Sequence, residues 1–138
     1  MLKKLVPALL LVISPFTLAD VAVVVNKANP SASLTANVVA DIFLNKASSF
    51  PAGGSASPVD LKEGEATRDE FYDKVSGKSA AQMKAYWSRL IFTGKGKPPA
   101  SVGSAAEVLQ KVASDPSAIG YVDAGSVNDS VKVVLTLP

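Results

Sequence analysis

Residues 59–71 read Val-Asp-Leu-Lys-Glu-Gly-Glu-Ala-Thr-Arg-Asp-Glu-Phe, which predicts the end of a strand, a tight turn and the first turn of a helix. Such a helix start directs free backbone N–H groups and the positive end of the helix dipole at the space in front of it, which favours an anion. The same stretch also carries five carboxylates: Asp60, Glu63, Glu65, Asp69 and Glu70. It is therefore either an anion-binding turn or a helix start capped by its own acidic side chains.

The two interpretations use the same residues differently. As an anion site, Gly64 permits the turn, Thr67 offers a hydroxyl and a backbone N–H, and Arg68 offers a bidentate fork. As a plain helix start, Thr67 is the N-cap and Glu70, three residues on, completes a capping box. Acidic side chains in a first turn also offset the helix dipole. Both interpretations place a helix at about residues 67–75.

Strands alternate with helices along the rest of the chain. Strands are expected at residues 21–25, 57–61, 119–122 and 131–135, and the other helices at residues 36–44, 80–92 and from the cap at Ser104 through residue 112. Pro58 suggests the first residue of its strand or an edge position. One apolar face of the third helix is expected in the core: Met83, Tyr86, Trp87, Leu90 and Ile91. The pattern predicts a single α/β domain of about four strands, with helices packed around the sheet.

The N-terminus predicts export. Lys3 and Lys4 precede an apolar run at residues 5–13, and Ala19 stands at a suitable cleavage point, as in a secretory signal peptide. The apolar run is shorter than the roughly 20 residues that a membrane span needs, which disfavours an uncleaved anchor. We expect residues 1–19 to be removed, residues 20–138 to form the domain, and the product to be periplasmic.

Charge and composition exclude several functions. The whole chain has 14 basic and 12 acidic residues, so loss of Lys3 and Lys4 leaves 12 of each and no net charge. A neutral domain without a basic run gives no support for nucleic-acid binding. The chain contains neither Cys nor His, which removes thiol chemistry, His-based acid–base catalysis and the usual zinc sites. We expect no enzyme activity, no metal and no cofactor.

A second candidate for anion binding is the glycine loop at residues 94–97, Gly-Lys-Gly-Lys. Its backbone N–H groups and the ammonium groups of Lys95 and Lys97 suit a phosphate. It lacks the spacing and the Lys-Ser/Thr ending of a Walker A motif. The alternative is a solvated loop between secondary-structure elements.

Five segments together resemble the phosphate-binding components of ABC transporters, and more closely the small single-domain exported proteins grouped with them. They are Val-Val-Val-Asn-Lys at 23–27, Ala-Asp-Ile-Phe-Leu-Asn-Lys at 40–46, Phe-Tyr at 71–72, Phe-Thr-Gly-Lys-Gly at 92–96 and Ala-Ile-Gly-Tyr-Val at 118–122. The resemblance covers nearly all of residues 20–138. It implies a lobe of the two-lobed clamp that closes on an oxyanion in that family, and the chain matches one lobe.

The resemblance places the ligand at the turn of residues 59–71. The family typically has an Arg ahead of a Ser-Gly-Thr that starts the helix, and the latter three positions fall on Glu65, Ala66 and Thr67. The Arg position falls near Asp60 or Leu61, so Thr67 alone matches and Arg68 has to replace the missing cation. The implied site is Thr67, Arg68 and the N–H of Ala66, assisted by Lys95.

These observations lead to two functional hypotheses. The first is an exported solute-binding protein, linked to ABC-type uptake, that binds phosphate or another small oxyanion at a degenerate site; its partner is then a transporter membrane component. The alternative is a non-enzymatic interaction module that docks on another exported or membrane protein without binding phosphate. The ligand, the oligomeric state and a second copy that completes the missing lobe stay open.

Overall fold

A computed structural model describes residues 20–138, and the predicted signal peptide lies outside them. The elements follow in the order β1 (Val21–Asn26), α1 (Ala36–Phe43), β2 (Ser57–Leu61), α2 (Ala66–Ser76), α3 (Ala80–Phe92), β3 (Ala100–Val102), α4 (Ala105–Ser114), β4 (Ala118–Asp123), a 3-10 turn (Ala124–Ser126) and β5 (Val131–Leu137). The predicted α/β class is confirmed. Within residues 20–138, no helix has the length and apolar character that a membrane crossing requires.

The five strands form one sheet in the order β3-β2-β4-β1-β5. All six residues of β1 are buried, as its continuous β-branched sequence predicts, and β1 runs antiparallel to both β4 and β5. Strand β2 runs parallel to both β3 and β4. The carboxyl ends of β2, β3 and β4 therefore point the same way.

Helices cover both faces of the sheet. Gly120 of β4 faces α4, where a Cβ on this glycine would lie 2.6 Å from Val108 Cγ1 and 3.2 Å from Val112 Cγ2. The next residue, Tyr121, faces the opposite side because side chains alternate along a strand. Its ring stacks on Phe71 of α2 with centroids 3.9 Å apart, and Phe43 of α1 meets Phe71 edge-on. The small residue on one face lets α4 approach closely, and the aromatic residues fill the other face.

The pairing of β2 changes along its length. Ser57 and Pro58 pair with β4, whereas Val59, Asp60 and Leu61 pair with β3. Pro58 thus lies in an interior strand, but before the stretch that pairs with β3, where its missing N–H costs no ladder bond. Strand β2 therefore separates from β4 near the carboxyl end of β2, and the candidate site lies where the two strands part.

Three predictions about the elements need correction. The structure has a fifth strand, Ala100–Val102, which is short and follows two prolines that indicated a loop. Helix α2 begins at Ala66 with Glu65 as its N-cap, so Thr67 lies inside the first turn and the Thr67–Glu70 capping box is wrong. The predicted face of α3 is buried at Met83 and Trp87, but Ile91 is 57 % exposed.

Candidate functional site

The carboxyl end of β2 holds a buried carboxylate. Asp60 is only 3 % exposed, although it is a charged residue, and it stands between the apolar residues Val59 and Leu61 in the interior of the sheet. The backbone N–H of Lys62 donates to the carbonyl of Val102 on β3. Backbone N–H groups alternate in direction along a strand, so the N–H of Leu61 points towards β4, which β2 has already left.

Side chains replace the missing ladder bond. The N–H of Leu61 donates to Asp60 Oδ1 at 2.9 Å and to the hydroxyl oxygen of Tyr121 on β4 at 3.2 Å. The Tyr121 hydroxyl in turn donates to Asp60 Oδ1 in a short hydrogen bond, and the Tyr72 hydroxyl donates to Oδ2 at 2.6 Å. Asp60 and Tyr121 therefore close the gap between β2 and β4 with hydrogen bonds, and Tyr72 of α2 satisfies the second carboxylate oxygen, as buried polar groups require.

Arg68 completes this group, which we call the Asp60 cluster: Asp60, Arg68, Tyr72 and Tyr121. Arg68 is 7 % exposed, its Nε lies 3.6 Å from Asp60 Oδ1, and its guanidinium lies over the Tyr72 ring at 5.3 Å. A separation of 3.6 Å is an ion pair rather than a hydrogen bond. Arg68 Nε accordingly has no hydrogen-bond acceptor.

Burial dominates the ionisation of the cluster. Burial raises the pKa of Asp60. The hydrogen bonds from both tyrosines, the charge of Arg68 and the hydrogen bond from the N–H of Leu61 act in the other direction and lower this pKa, but burial outweighs them. Burial and the neighbouring Asp60 carboxylate also raise the pKa of Tyr72 and of Tyr121. Both phenols thus remain neutral hydrogen-bond donors, and neither is suited to act as a base.

A cavity of about 270 Å³ opens beside the cluster, and we call it the α3 cavity. It lies between the end of β2, the first turn of α2, helix α3 and strand β3. Its charged lining residues are Asp60, Lys62, Glu63, Arg68 and Lys84. Its other walls include Trp87, Ser88, Ile91, Pro98, Pro99 and Ser101. The cavity therefore combines three cations and two carboxylates with apolar residues.

The predicted site residues occupy different surroundings. Arg68 lines the α3 cavity, whereas Ala66, Thr67 and Lys95 are absent from its lining. Ala66 is exposed and Thr67 half-buried in the first turn of α2, where Glu65 caps the helix without a side-chain hydrogen bond. Lys95 is exposed, and its backbone N–H donates to the carbonyl of Leu90 at the end of α3.

Sequence reasoning missed the Asp60 cluster and the unpaired indole N–H of Trp87. The signal for the former was a lone carboxylate between two apolar strand residues, Val59 and Leu61. Trp87 is a core residue, as predicted, but its Nε1 has no hydrogen-bond partner. Among residues 20–138, no group of three or more acidic side chains is placed to hold a metal ion.

Comparison with protein families matches residues 11–135 to the model described as the PBP superfamily domain. Comparison with curated proteins finds no match.

Among solved structures, the fold is similar to an ABC-type phosphate transport receptor from Vibrio cholerae, at TM-score 0.65 and 24 % identity over 86 % of this chain and 47 % of that one. It is equally similar to a protein of Clostridium perfringens assigned as a phosphate ABC transporter substrate-binding protein and solved with bound phosphate (TM-score 0.65, 24 % identity, 83 % and 43 % covered). PstS from Borrelia burgdorferi follows at TM-score 0.61 and 12 % identity, with 83 % and 46 % covered. The chain thus spans less than half the length of these structures, and the likeness establishes the fold.

The Asp60 cluster yields a stability prediction. Asp60→Asn keeps the shape of the side chain but leaves the buried Arg68 without its counter-charge, so we expect a loss of about 3–5 kcal/mol in the free energy of unfolding. Urea denaturation followed by circular dichroism measures the loss. The matched control is Asp69→Asn, an exposed carboxylate in α2, the helix that carries Arg68 and Tyr72, and it is expected to cost less than about 1 kcal/mol. Equal, small losses in the two variants would contradict the role given to the cluster.

Proposed function

Because the chain belongs to the PBP superfamily domain family, we propose that it is an exported, non-enzymatic solute-binding protein whose ligand is phosphate or a related small oxyanion. The relatives of similar fold include phosphate transport receptors. By this proposal the protein acts in the periplasm and presents its ligand to an ABC-type membrane component.

The observation that carries the proposal is the setting of Arg68. Arg68 lies in the first turn of α2, beside the carboxyl end of the parallel strand β2. Its guanidinium is held by Asp60 and Tyr72, and the residue lines the α3 cavity. Ligands of open α/β sheets bind outside the carboxyl ends of the strands. A guanidinium held in this way loses little conformational freedom when it binds an anion.

The proposed site combines Arg68 with the first turn of its own helix. The N–H groups of Ala66 and Thr67 and the Thr67 hydroxyl supply neutral donors, and Lys95 supplies an exposed cation from the glycine loop. Glu65 stands where the family has a Ser and brings a like charge, which weakens anion binding by electrostatic repulsion. We therefore propose a degenerate form of the family's site, with reduced affinity.

Thermal unfolding of the purified protein tests this function. Phosphate or sulfate at 100 times its Kd, at matched ionic strength, should stabilise the fold by about 2.7 kcal/mol. Lys95→Met should reduce the shift, whereas Lys111→Met, an exposed lysine on the opposite face of the sheet, should leave it unchanged. The absence of a shift with every oxyanion would exclude the solute-binding function.

The exposed end of α3 favours a second function, an interaction module that docks on another exported or membrane protein. Ile91 is 57 % and Phe92 91 % exposed. Residues 74–106 contain six basic residues and no acidic one: Lys74, Lys78, Lys84, Arg89, Lys95 and Lys97. An exposed aromatic beside cations fits a partner with an apolar groove and an acidic rim.

Substitution of Phe92 separates this function from the first. Phe92→Ser should abolish capture of a partner from exported and membrane proteins, with a change below about 0.5 kcal/mol in stability because the side chain is exposed. Val133→Ser, an exposed apolar residue on β5, is the control and should retain the partner. A protein that captures no partner at any salt concentration would exclude the interaction module.

A further inference from the structure

Two residues that line the α3 cavity each carry a buried donor without a hydrogen-bond partner. Among residues 20–138, the buried side-chain atoms without a hydrogen-bond partner are Ser31 Oγ, Arg68 Nε and Trp87 Nε1. Arg68 and Trp87 both line this one cavity, from α2 and from α3. Both N–H groups are also shielded from solvent, so neither protein nor bulk water satisfies them. Buried polar groups are nearly always paired, so this coincidence indicates a site shaped for an acceptor.

The charges at the cavity favour an anion. Arg68 is balanced by Asp60, and Glu63 balances one of the two lysines, Lys62 and Lys84, so one positive charge remains. The hydroxyls of Ser88 and Ser101 add neutral donors on facing walls. A carboxylate or phosphoryl group is the acceptor that such a donor set binds best.

The size and the walls of the cavity select an anion with an organic part. An inorganic oxyanion fills the space of roughly two or three waters of about 30 Å³ each, well below the 270 Å³ available. The remaining wall is apolar and is formed by Trp87, Ile91, Pro98 and Pro99. Aromatic and proline surfaces bind the body of a ligand, while a few polar groups orient its head.

We propose that the α3 cavity binds a small organic anion, whose phosphoryl or carboxylate head contacts Arg68, Lys84 and the indole N–H of Trp87 and whose apolar body lies against Ile91 and the two prolines. Because the indole N–H is shielded from solvent, this contact requires the Trp87 side chain to turn towards the cavity when the anion binds. The proposal deepens the proposed function and rests on it in sharing Arg68, but it assigns the other contacts to α3 and the prolines rather than to the N–H groups of Ala66 and Thr67.

The chain's single tryptophan reports on the site directly. Phenyl phosphate and benzoate are the probes, with inorganic phosphate and phenol as comparators, and Trp87 emission is excited at a wavelength selective for indole. We expect at least one probe to change the Trp87 emission saturably, at a Kd at least about tenfold below those of inorganic phosphate and phenol, because only the probe engages both walls.

Two exposed cations of α3 provide a matched pair of variants. Lys84→Met should weaken binding of the probe about fivefold, as expected for a partly solvated ion pair. Arg89→Met removes the same charge from the same helix but lies outside the cavity lining, so it should leave the Kd unchanged. Trp87→Phe keeps an aromatic side chain but replaces the indole with a smaller phenyl ring and removes the N–H, and calorimetry should show about a tenfold loss of affinity.

The outcomes distinguish this proposal from the proposed function. Binding of a probe with the Lys84 and Arg89 variants as expected supports the α3 cavity. Binding of inorganic phosphate that leaves Trp87 emission and the Lys84→Met affinity unchanged overturns the cavity and retains the oxyanion function. Equal affinity for phenol and phenyl phosphate overturns the requirement for an anion. The absence of binding by both probes overturns the proposal.

Discussion

The burial of the Asp60 carboxylate is the constraint on which the rest of the site depends. Strand β2 turns from β4 to β3 before its end, and this change of partner leaves the Leu61 N–H without a ladder acceptor. Asp60 and Tyr121 supply the acceptors, and Tyr72 and Arg68 then compensate the buried charge. Because Tyr72 and Arg68 belong to α2, the same contacts also fix the helix start against the sheet.

The cluster gives Arg68 a structural task that limits its chemistry. An arginine that neutralises Asp60 offers less net charge to a ligand than a free one, and Glu65 at the N-cap lowers the local potential further. The strand, turn and helix predicted for residues 59–71 are all present. Arg68 also lines the cavity beside α3 with Lys62 and Lys84, so the two proposals share Arg68 and differ in the residues that make the other contacts with the ligand.

Local sequence patterns predicted most of the fold. The β-branched run at residues 21–25 predicted β1, and the helix predicted at residues 80–92 is α3, which begins with a full capping box of Ser79 and Gln82. Strand β3 was missed because three partly exposed residues carry no periodic signal. The Asp60 cluster was missed for a different reason: Tyr121 lies 61 residues from Asp60, and their contact depends on the pairing of β2 with β4. Such non-local hydrogen bonds have no signature in either segment alone.

Native-state hydrogen exchange of the Leu61 amide tests most directly whether the Asp60 cluster holds the end of β2. The amide is bonded only to side chains of the cluster, so its protection measures their strength. We predict that it exchanges with the same opening free energy as core amides of β1 such as that of Val24, through global unfolding. An opening free energy near that of the exposed turn at Gly64 would show that the cluster does not secure the strand, and would contradict the account.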